Sequence, residues 1–81
     1  MTIGQATALR IKNLLKERQM SQYRLEQNSG ILHGTMHCII QGTNNDIQLG
    51  TVIKIANGFG MTYLEFLDDP LFHSEELEYE Y

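Results

Sequence analysis

The segment MSQYRLEQNSGILHGTMHCIIQG, residues 20–42, contains two short helical patterns separated by a glycine. Ser21 can accept hydrogen bonds from the first turn of a helix at about residues 22–28, and Gly30 can take the left-handed conformation that ends it. A second helix follows and ends at Gly42. Its apolar residues share one side at helical spacing: Met36, Ile39 and Ile40. Two short helices joined by a tight glycine turn are typical of a helix-turn-helix, which presents its second helix to the major groove of DNA.

Three further helical patterns flank this segment. An amphipathic pattern predicts a first helix at about residues 5–18, and an apolar stripe that ends near Gly60 predicts a fourth helix. Thr62 and Glu65 match the S/T-x-x-E capping box, so they predict a short fifth helix, which the sequence DDP ends. The stripe of the fourth helix consists of Leu49, Val52, Ile53 and Ala56. We therefore expect an all-α fold of five helices.

The charge of the chain divides it into two parts. The 81 residues support one small domain, which we place at residues 1–70, followed by an acidic C-terminal tail at residues 71–81. All six lysines and arginines precede residue 65 and stand against three carboxylates, so this body carries +3. The seven carboxylates from residue 65 onward have no basic partner and bring the net charge to −4. The mildly basic body and the acidic tail should therefore have different partners.

The sequence argues against several classes of protein. Cys38 is the only cysteine, so no internal disulfide can form and a reducing compartment is expected. No stretch approaches the roughly 18 apolar residues that span a bilayer, and the start of the chain lacks the pattern of a secretory signal. No nucleophile stands in an activation pattern, and no glycine-rich phosphate loop is present. We expect a cytoplasmic protein with no membrane contact, no enzymatic activity and no cofactor.

About residues 8–68 resemble the Cro/cI-type helix-turn-helix family, also called the xenobiotic-response-element (XRE) family. The most specific matches are Ser21, Gln22, Leu25, Gly30, Ile31, Thr35, Met36, Ile39, Gly42 and the run at residues 51–61. The resemblance implies a five-helix, lambda-repressor-like DNA-binding domain whose third helix enters the major groove. It further implies a sequence-specific transcriptional regulator that binds double-stranded DNA as a homodimer, with repression by promoter occlusion as the simplest mechanism.

The resemblance also implies roles for individual residues. Gln22 matches the position whose amide contacts a phosphate beside a helix N-terminus. Thr35 could touch a phosphate or a thymine methyl. The positions that face base edges correspond to His33, Gly34, His37 and Cys38. The end of the recognition helix and the loop that holds the DNA backbone correspond to Gln41, Thr43 and Asn44.

The third helix contains neither Lys nor Arg, and physical chemistry indicates how such a helix can still read DNA. Backbone N–H groups, helix N-termini and neutral amides can contact phosphates, while basic residues elsewhere in the body add charge. His33 and His37 can donate to N7 or O6 of guanine, and Gly34 allows a close approach of the backbone. We expect modest affinity and a gentle dependence on salt.

Four positions depart from the family's usual pattern. Glu26 stands where a small residue facing the partner helix is common, so its carboxylate should either turn outward or pair with a basic group. Leu32 replaces a Ser or Thr cap, at a cost of about 1 kcal/mol. Gly34 weakens the helix by up to about 1 kcal/mol relative to Ala. Ile40 stands where a polar residue is common.

Two surfaces have alternative interpretations. Ile40, Ile47 and Ile55 either form an exposed apolar patch that joins two subunits, which we favour, or complete the core. The acidic tail is either a solvated end, which we favour, or a docking segment for a protein partner. A different class of function follows from these surfaces. The chain would then be a protein-interaction module that keeps the fold and has weak or lost DNA binding.

His33, His37 and Cys38 also resemble a metal site, because histidines four residues apart share a face of a helix. Cys38 lies about 100° around the helix from His37, and no obvious fourth ligand is near in sequence. We therefore favour a surface that faces solvent or DNA and predict no metal. For Cys38, an incidental exposed cysteine is likewise favoured over a redox role.

Overall fold

The structure is a computed structural model, in which residues 1–73 are described. The helices of this part of the chain are α1 (Ile3–Glu17), α2 (Gln22–Ser29), α3 (His33–Gln41), α4 (Leu49–Gly58), α5 (Tyr63–Leu67) and α6 (Pro70–His73). The all-α prediction is confirmed, and the five expected helices are α1 to α5. The predicted acidic tail is described only as far as residue 73, and its glutamates lie outside the described residues.

Helix α6 is a single turn that the sequence analysis did not predict. The side chain of Asp69 accepts a hydrogen bond from the N–H of Leu71 at 3.0 Å, and its carbonyl accepts one from the N–H of Phe72 at 2.9 Å. Pro70 occupies the first helical position, where the fixed φ of proline is favourable. The same Asp-Pro pair therefore ends α5 and begins α6, and it lets Phe72 pack against the core.

Side-chain caps also begin α1, α2 and α5. The Ser21 hydroxyl accepts a hydrogen bond from the backbone three residues later at 3.1 Å, as predicted. Thr62 and Glu65 form the predicted reciprocal capping box, with distances of 3.1 and 3.0 Å. A second capping box, between Thr2 and Gln5, was not predicted, and it starts α1 two residues before the expected position. Left-handed glycines follow α2, α3 and α4, as predicted, at Gly30, Gly42 and Gly60.

The core is built from the inner faces of α1 to α5. The largest fully buried apolar side chains are Phe66, Ile11, Leu25, Met36 and Ile55. The prediction of an exposed apolar patch at Ile40, Ile47 and Ile55 is wrong. Ile55 is 0% exposed, Ile40 is 8% exposed, and Ile47 is half-buried against the same core. These isoleucines complete the core, because neighbouring helices cover the surfaces on which they lie.

Two glycines allow close backbone contacts on either side of the helix-turn-helix formed by α2 and α3. A Cβ atom on Gly4 would lie 1.8 Å from the carbonyl oxygen of Asn44, and the N–H of Gly4 donates to the carbonyl of Asn45 at 3.2 Å. A Cβ atom on Gly58 would lie 2.9 Å from a methyl group of Leu25. Helix α1 is thus held against the loop that follows α3, and α4 is held against α2.

Candidate nucleic-acid interface

The outer side of α3 carries five of the residues that were expected to meet bases or phosphates. All five are exposed: His33, Gly34, Thr35, His37 and Cys38. The inner side of the helix is anchored in the core by Met36, Ile39 and Ile40. The ring centroids of the two histidines lie 6.2 Å apart, and a Cβ atom on Gly34 would meet no atom within 4 Å. The predicted residues therefore share one accessible face.

The first turn of α3 has no side-chain cap. Leu32 occupies the N-cap position, makes no capping hydrogen bond and is 79% exposed. The predicted absence of a cap is confirmed. Unsatisfied N–H groups and the positive end of the helix dipole favour an anion at such a terminus. The start of α3 is therefore suited to approach a phosphate or an acceptor atom on a base.

Gln22 begins α2 and is half-buried. Its Nε2 donates a hydrogen bond to Oε2 of Glu26 at 2.9 Å, one helical turn later. One amide hydrogen of Gln22 is therefore used within the protein. The second amide hydrogen and the backbone N–H at the start of the helix are the groups that could reach a phosphate.

Glu26 departs from the residue type that is usual in the family at its position. The sequence left open whether its carboxylate turns outward or pairs with a basic group. Its side chain is only 9% exposed, and its Oε2 lies 2.9 Å from Nδ1 of His33. The amide of Gln22 holds the pKa of Glu26 below its ordinary value of 4.5; burial opposes this effect, and the hydrogen bond and charge of His33 add to it. Glu26 is thus ionised at neutral pH. It pairs with a basic group, and it links α2 to the first residue of α3.

The far end of α3 and the next loop hold the other predicted backbone contacts. Gln41, Thr43 and Asn44 are exposed. The Thr43 hydroxyl donates to the carbonyl of Cys38 at 3.3 Å, while the backbone of Asn44 rests on Gly4. Gly4 therefore helps to position this loop. Sequence reasoning missed it, because a contact between residues so distant along the chain leaves no local pattern.

Two of the six basic side chains are committed to the fold. Arg10 pairs with Asp69 at 3.1 Å and donates to the carbonyl of Phe66 at 2.9 Å. Arg18 donates to the carbonyl of Phe59 and stands over its ring. Both arginines thus satisfy carbonyl groups near helix ends, and fewer basic side chains are free to contact a phosphate directly than the sequence count suggests.

The other basic side chains are exposed: Lys12, Lys16, Arg24 and Lys54. Arg24 lies in the first turn of α2, two residues after Gln22. Its side chain makes no hydrogen bond or ion pair with another residue of the described part. Arg24 is therefore a further candidate for phosphate contact that was not among the predicted residues. Its signal in the sequence was its position next to the Ser-Gln start of α2.

Other kinds of site receive no support from residues 1–73. No group of three His, Cys, Asp or Glu side chains in this range is arranged to hold a metal ion, so the alternative of a site at His33, His37 and Cys38 is not supported. Within the same range, no helix is both long and apolar enough to cross a bilayer.

Comparison with known proteins gives one result. The Cro/C1-type HTH DNA-binding domain, as a family, matches residues 10–70. This range extends from the second half of α1 through α5 and includes the whole helix-turn-helix. No curated protein and no solved structure gives a significant match. The resemblance read from the sequence is confirmed, and the chain belongs to the Cro/C1-type helix-turn-helix family of DNA-binding regulators.

Proposed function

We propose that the protein is a transcriptional regulator, acting as a repressor, that reads a specific operator by placing α3 in the major groove. The observation that carries this proposal is the division of α3 into two sides. Its inner side is fixed in the core, and its exposed outer side offers only small and polar groups. A helix held in this way can enter the major groove without disturbing the helices against which it packs.

The exposed residues divide into two roles under this proposal. Gln22 and Arg24 at the start of α2, with Gln41, Thr43 and Asn44 at the far end of α3, would contact phosphates and fix the register. The residues on the outer side of α3 would meet base edges: His33, Gly34, Thr35, His37 and Cys38. Few of these groups are charged, so the affinity should depend only moderately on salt.

We further propose that the protein binds a two-fold symmetric operator as a homodimer. Ile40 and Ile55 are buried and so are not available to a dimer contact. Leu64 is 66% exposed and Tyr63 is 39% exposed, and they are adjacent on α5. These two side chains are the ones we assign to the contact, because an exposed apolar pair is best covered by a second subunit.

Selection from a pool of random DNA duplexes at low salt tests the proposal. We expect an enriched motif with two-fold symmetry, whose affinity falls as salt is raised. The matched control is the double variant His33→Ala with His37→Ala, which removes two exposed side chains and should fold but lose selection. No enrichment by demonstrably folded protein would overturn the proposal for this chain.

A protein-interaction module is the second candidate function, and one observation favours it. Tyr23 and Leu32, at 69% and 79% exposure, line the same shallow cleft beside the turn between α2 and α3. Exposed apolar groups of this size are common in protein contacts. If Tyr23→Ala with Leu32→Ala leaves selection of DNA intact, the cleft is not needed for reading. If wild type selects no DNA, the cleft becomes the first surface to examine.

A further inference from the structure

The ring of His33 is held at one end by a carboxylate inside the protein. Nδ1 lies 2.9 Å from Oε2 of Glu26, and this is the only hydrogen bond of the ring within the described residues. The side chain of His33 is 76% exposed, whereas that of Glu26 is 9% exposed. The anchored nitrogen therefore faces the protein, and the rest of the ring extends from the start of α3.

The chemistry of Glu26 decides which nitrogen carries the proton. Gln22 donates to the same oxygen of Glu26 at 2.9 Å, and this amide keeps the pKa of the carboxyl low. An ionised carboxylate only accepts hydrogen bonds, so Nδ1 of His33 has to be the donor. In the neutral ring Nε2 then has a lone pair and no hydrogen. In the protonated ring Nε2 becomes a donor.

We propose that Glu26 is a positioning residue that fixes the proton of neutral His33 on Nδ1 and so makes Nε2 the atom that reads a base. This inference rests on the proposed function, in which α3 meets base edges. Neutral His33 would accept a hydrogen bond from N6 of adenine or N4 of cytosine, whereas protonated His33 would donate to O6 or N7 of guanine. The preferred base at one operator position therefore changes with pH.

Three titratable groups face His33 and bear on such a change. Glu26 is bonded to the ring from α2, and Tyr23 of the same helix lines the cleft beside it. His37 lies one turn along α3, with its ring centroid 6.2 Å away. His37 is the other imidazole in this group, so single variants of each histidine, His33→Ala and His37→Ala, are needed to tell which operator position each ring reads.

The first test measures the proton on the ring without DNA. Nitrogen-15 NMR of the free protein, above the pH range in which imidazoles titrate, should find the hydrogen of His33 on Nδ1. In Glu26→Ala, which removes the acceptor, the hydrogen should move wholly or partly to Nε2. In Glu26→Gln an amide oxygen can still accept from Nδ1, so this variant shows whether the charge of the carboxylate is needed. A wild-type ring with its hydrogen on Nε2 would overturn the proposal, and so would an unchanged ring in folded Glu26→Ala. The wild-type result stands even if a variant fails to fold.

The second test measures base reading. Selection from random duplexes by the wild-type protein at about pH 8 and about pH 5.5 brackets the range in which imidazoles change charge. The position read by His33 is the one whose base preference differs between the wild type and His33→Ala when single-base variants of the selected duplex are bound. We expect one position to change from adenine or cytosine to guanine, with a preference of about fivefold or more in each direction. The same base at that position at both pH values would overturn the proposal. Absence of any enriched motif would instead overturn the proposed function, and the NMR result would still decide how Glu26 positions the ring.

Discussion

Helices α2 and α3 are similar in length, and both end at a left-handed glycine, but they are stabilised differently. Helix α2 begins with the hydroxyl cap of Ser21, and its one buried polar group, Glu26, has two hydrogen-bond partners. Helix α3 begins at Leu32 without a cap and contains Gly34, whose position is open to solvent. The side-chain cap that begins α2 is thus missing from the helix assigned to read DNA, which also carries a glycine in its first turn.

The difference shows where the stability of α3 originates. A missing cap costs about 1 kcal/mol and a glycine within a helix up to about 1 kcal/mol, against a total of about 5–15 kcal/mol for a typical domain. Burial of a side chain as large as Met36, which is 0% exposed, contributes about 1.5–3 kcal/mol. Helix α3 is therefore held by packing on its inner side, while its outer side is free to match a ligand.

The largest expected effect comes from removing that packing. Met36→Ala should lower the free energy of unfolding by about 2–5 kcal/mol, because it leaves a cavity beneath α3. Chemical denaturation monitored by circular dichroism measures the change. The neighbouring exposed residue supplies the control, since His37→Ala should change stability by less than about 0.5 kcal/mol. Equal losses in the two variants would mean that α3 is not anchored through its inner side.

Exchanging the cap chemistry of the two helices gives a smaller effect. Leu32→Ser should raise the free energy of unfolding by roughly 1 kcal/mol, and Ser21→Ala should lower it by a similar amount. Both changes are read from denaturation midpoints. The explanation of the difference between α2 and α3 would be wrong if Leu32→Ser were destabilising, because its exposed leucine would then be contributing packing that its exposure does not suggest.

Glycine substitutions separate stability from DNA reading. Gly34→Ala should stabilise the fold by up to about 1 kcal/mol, since a Cβ atom there meets nothing within 4 Å. The same change should weaken DNA binding if the backbone of α3 approaches a base pair. Gly50→Ala in α4 is the matched control, because its Cβ atom is equally unobstructed. It should leave DNA affinity unchanged. Binding of both variants to a selected duplex decides the matter, and an undiminished affinity of Gly34→Ala would exclude close backbone contact.

Local chemistry accounts for what the sequence predicted well. The ends of α2, α3 and α5 follow from Ser21, Gly30, Gly42 and the Thr62 capping box, each of which acts on backbone groups within one turn. The early start of α1 also has a local signal, the Thr-x-x-Gln box of Thr2 and Gln5. The exposed face of α3 was also predictable, since helical periodicity separates it from the buried face.

Contacts between distant segments account for what the sequence did not predict. Periodicity placed Ile40 and Ile55 on helical stripes, but only the packing of the neighbouring helices shows that these stripes are covered. In the same way, the charge of Arg10 is visible in the sequence and its bond to Asp69 is not. The pairing of Glu26 with His33 spans the turn of the helix-turn-helix and depends on two side-chain conformations, which no pattern of residue types specifies.

The smallest expected effect is a loss of folding stability at acidic pH. It also distinguishes α2 from α3, because α3 contains no carboxylate that could titrate there. The amide of Gln22 lowers the pKa of Glu26 below its ordinary 4.5, and the backbone N–H and hydroxyl of Thr62 lower that of Glu65. A pKa that is lower in the folded state means that ionisation stabilises the fold above the ordinary value. This stability is lost as the pH falls through the lowered folded value.

Denaturation midpoints measured from neutral pH to below pH 4.5 should fall less steeply for Glu26→Gln and for Glu65→Gln than for wild type. If Glu26→Gln followed the wild-type acid curve, the carboxylate would not be ionised through its contact with Gln22, and the link from α2 to His33 would have to be explained by a neutral hydrogen bond.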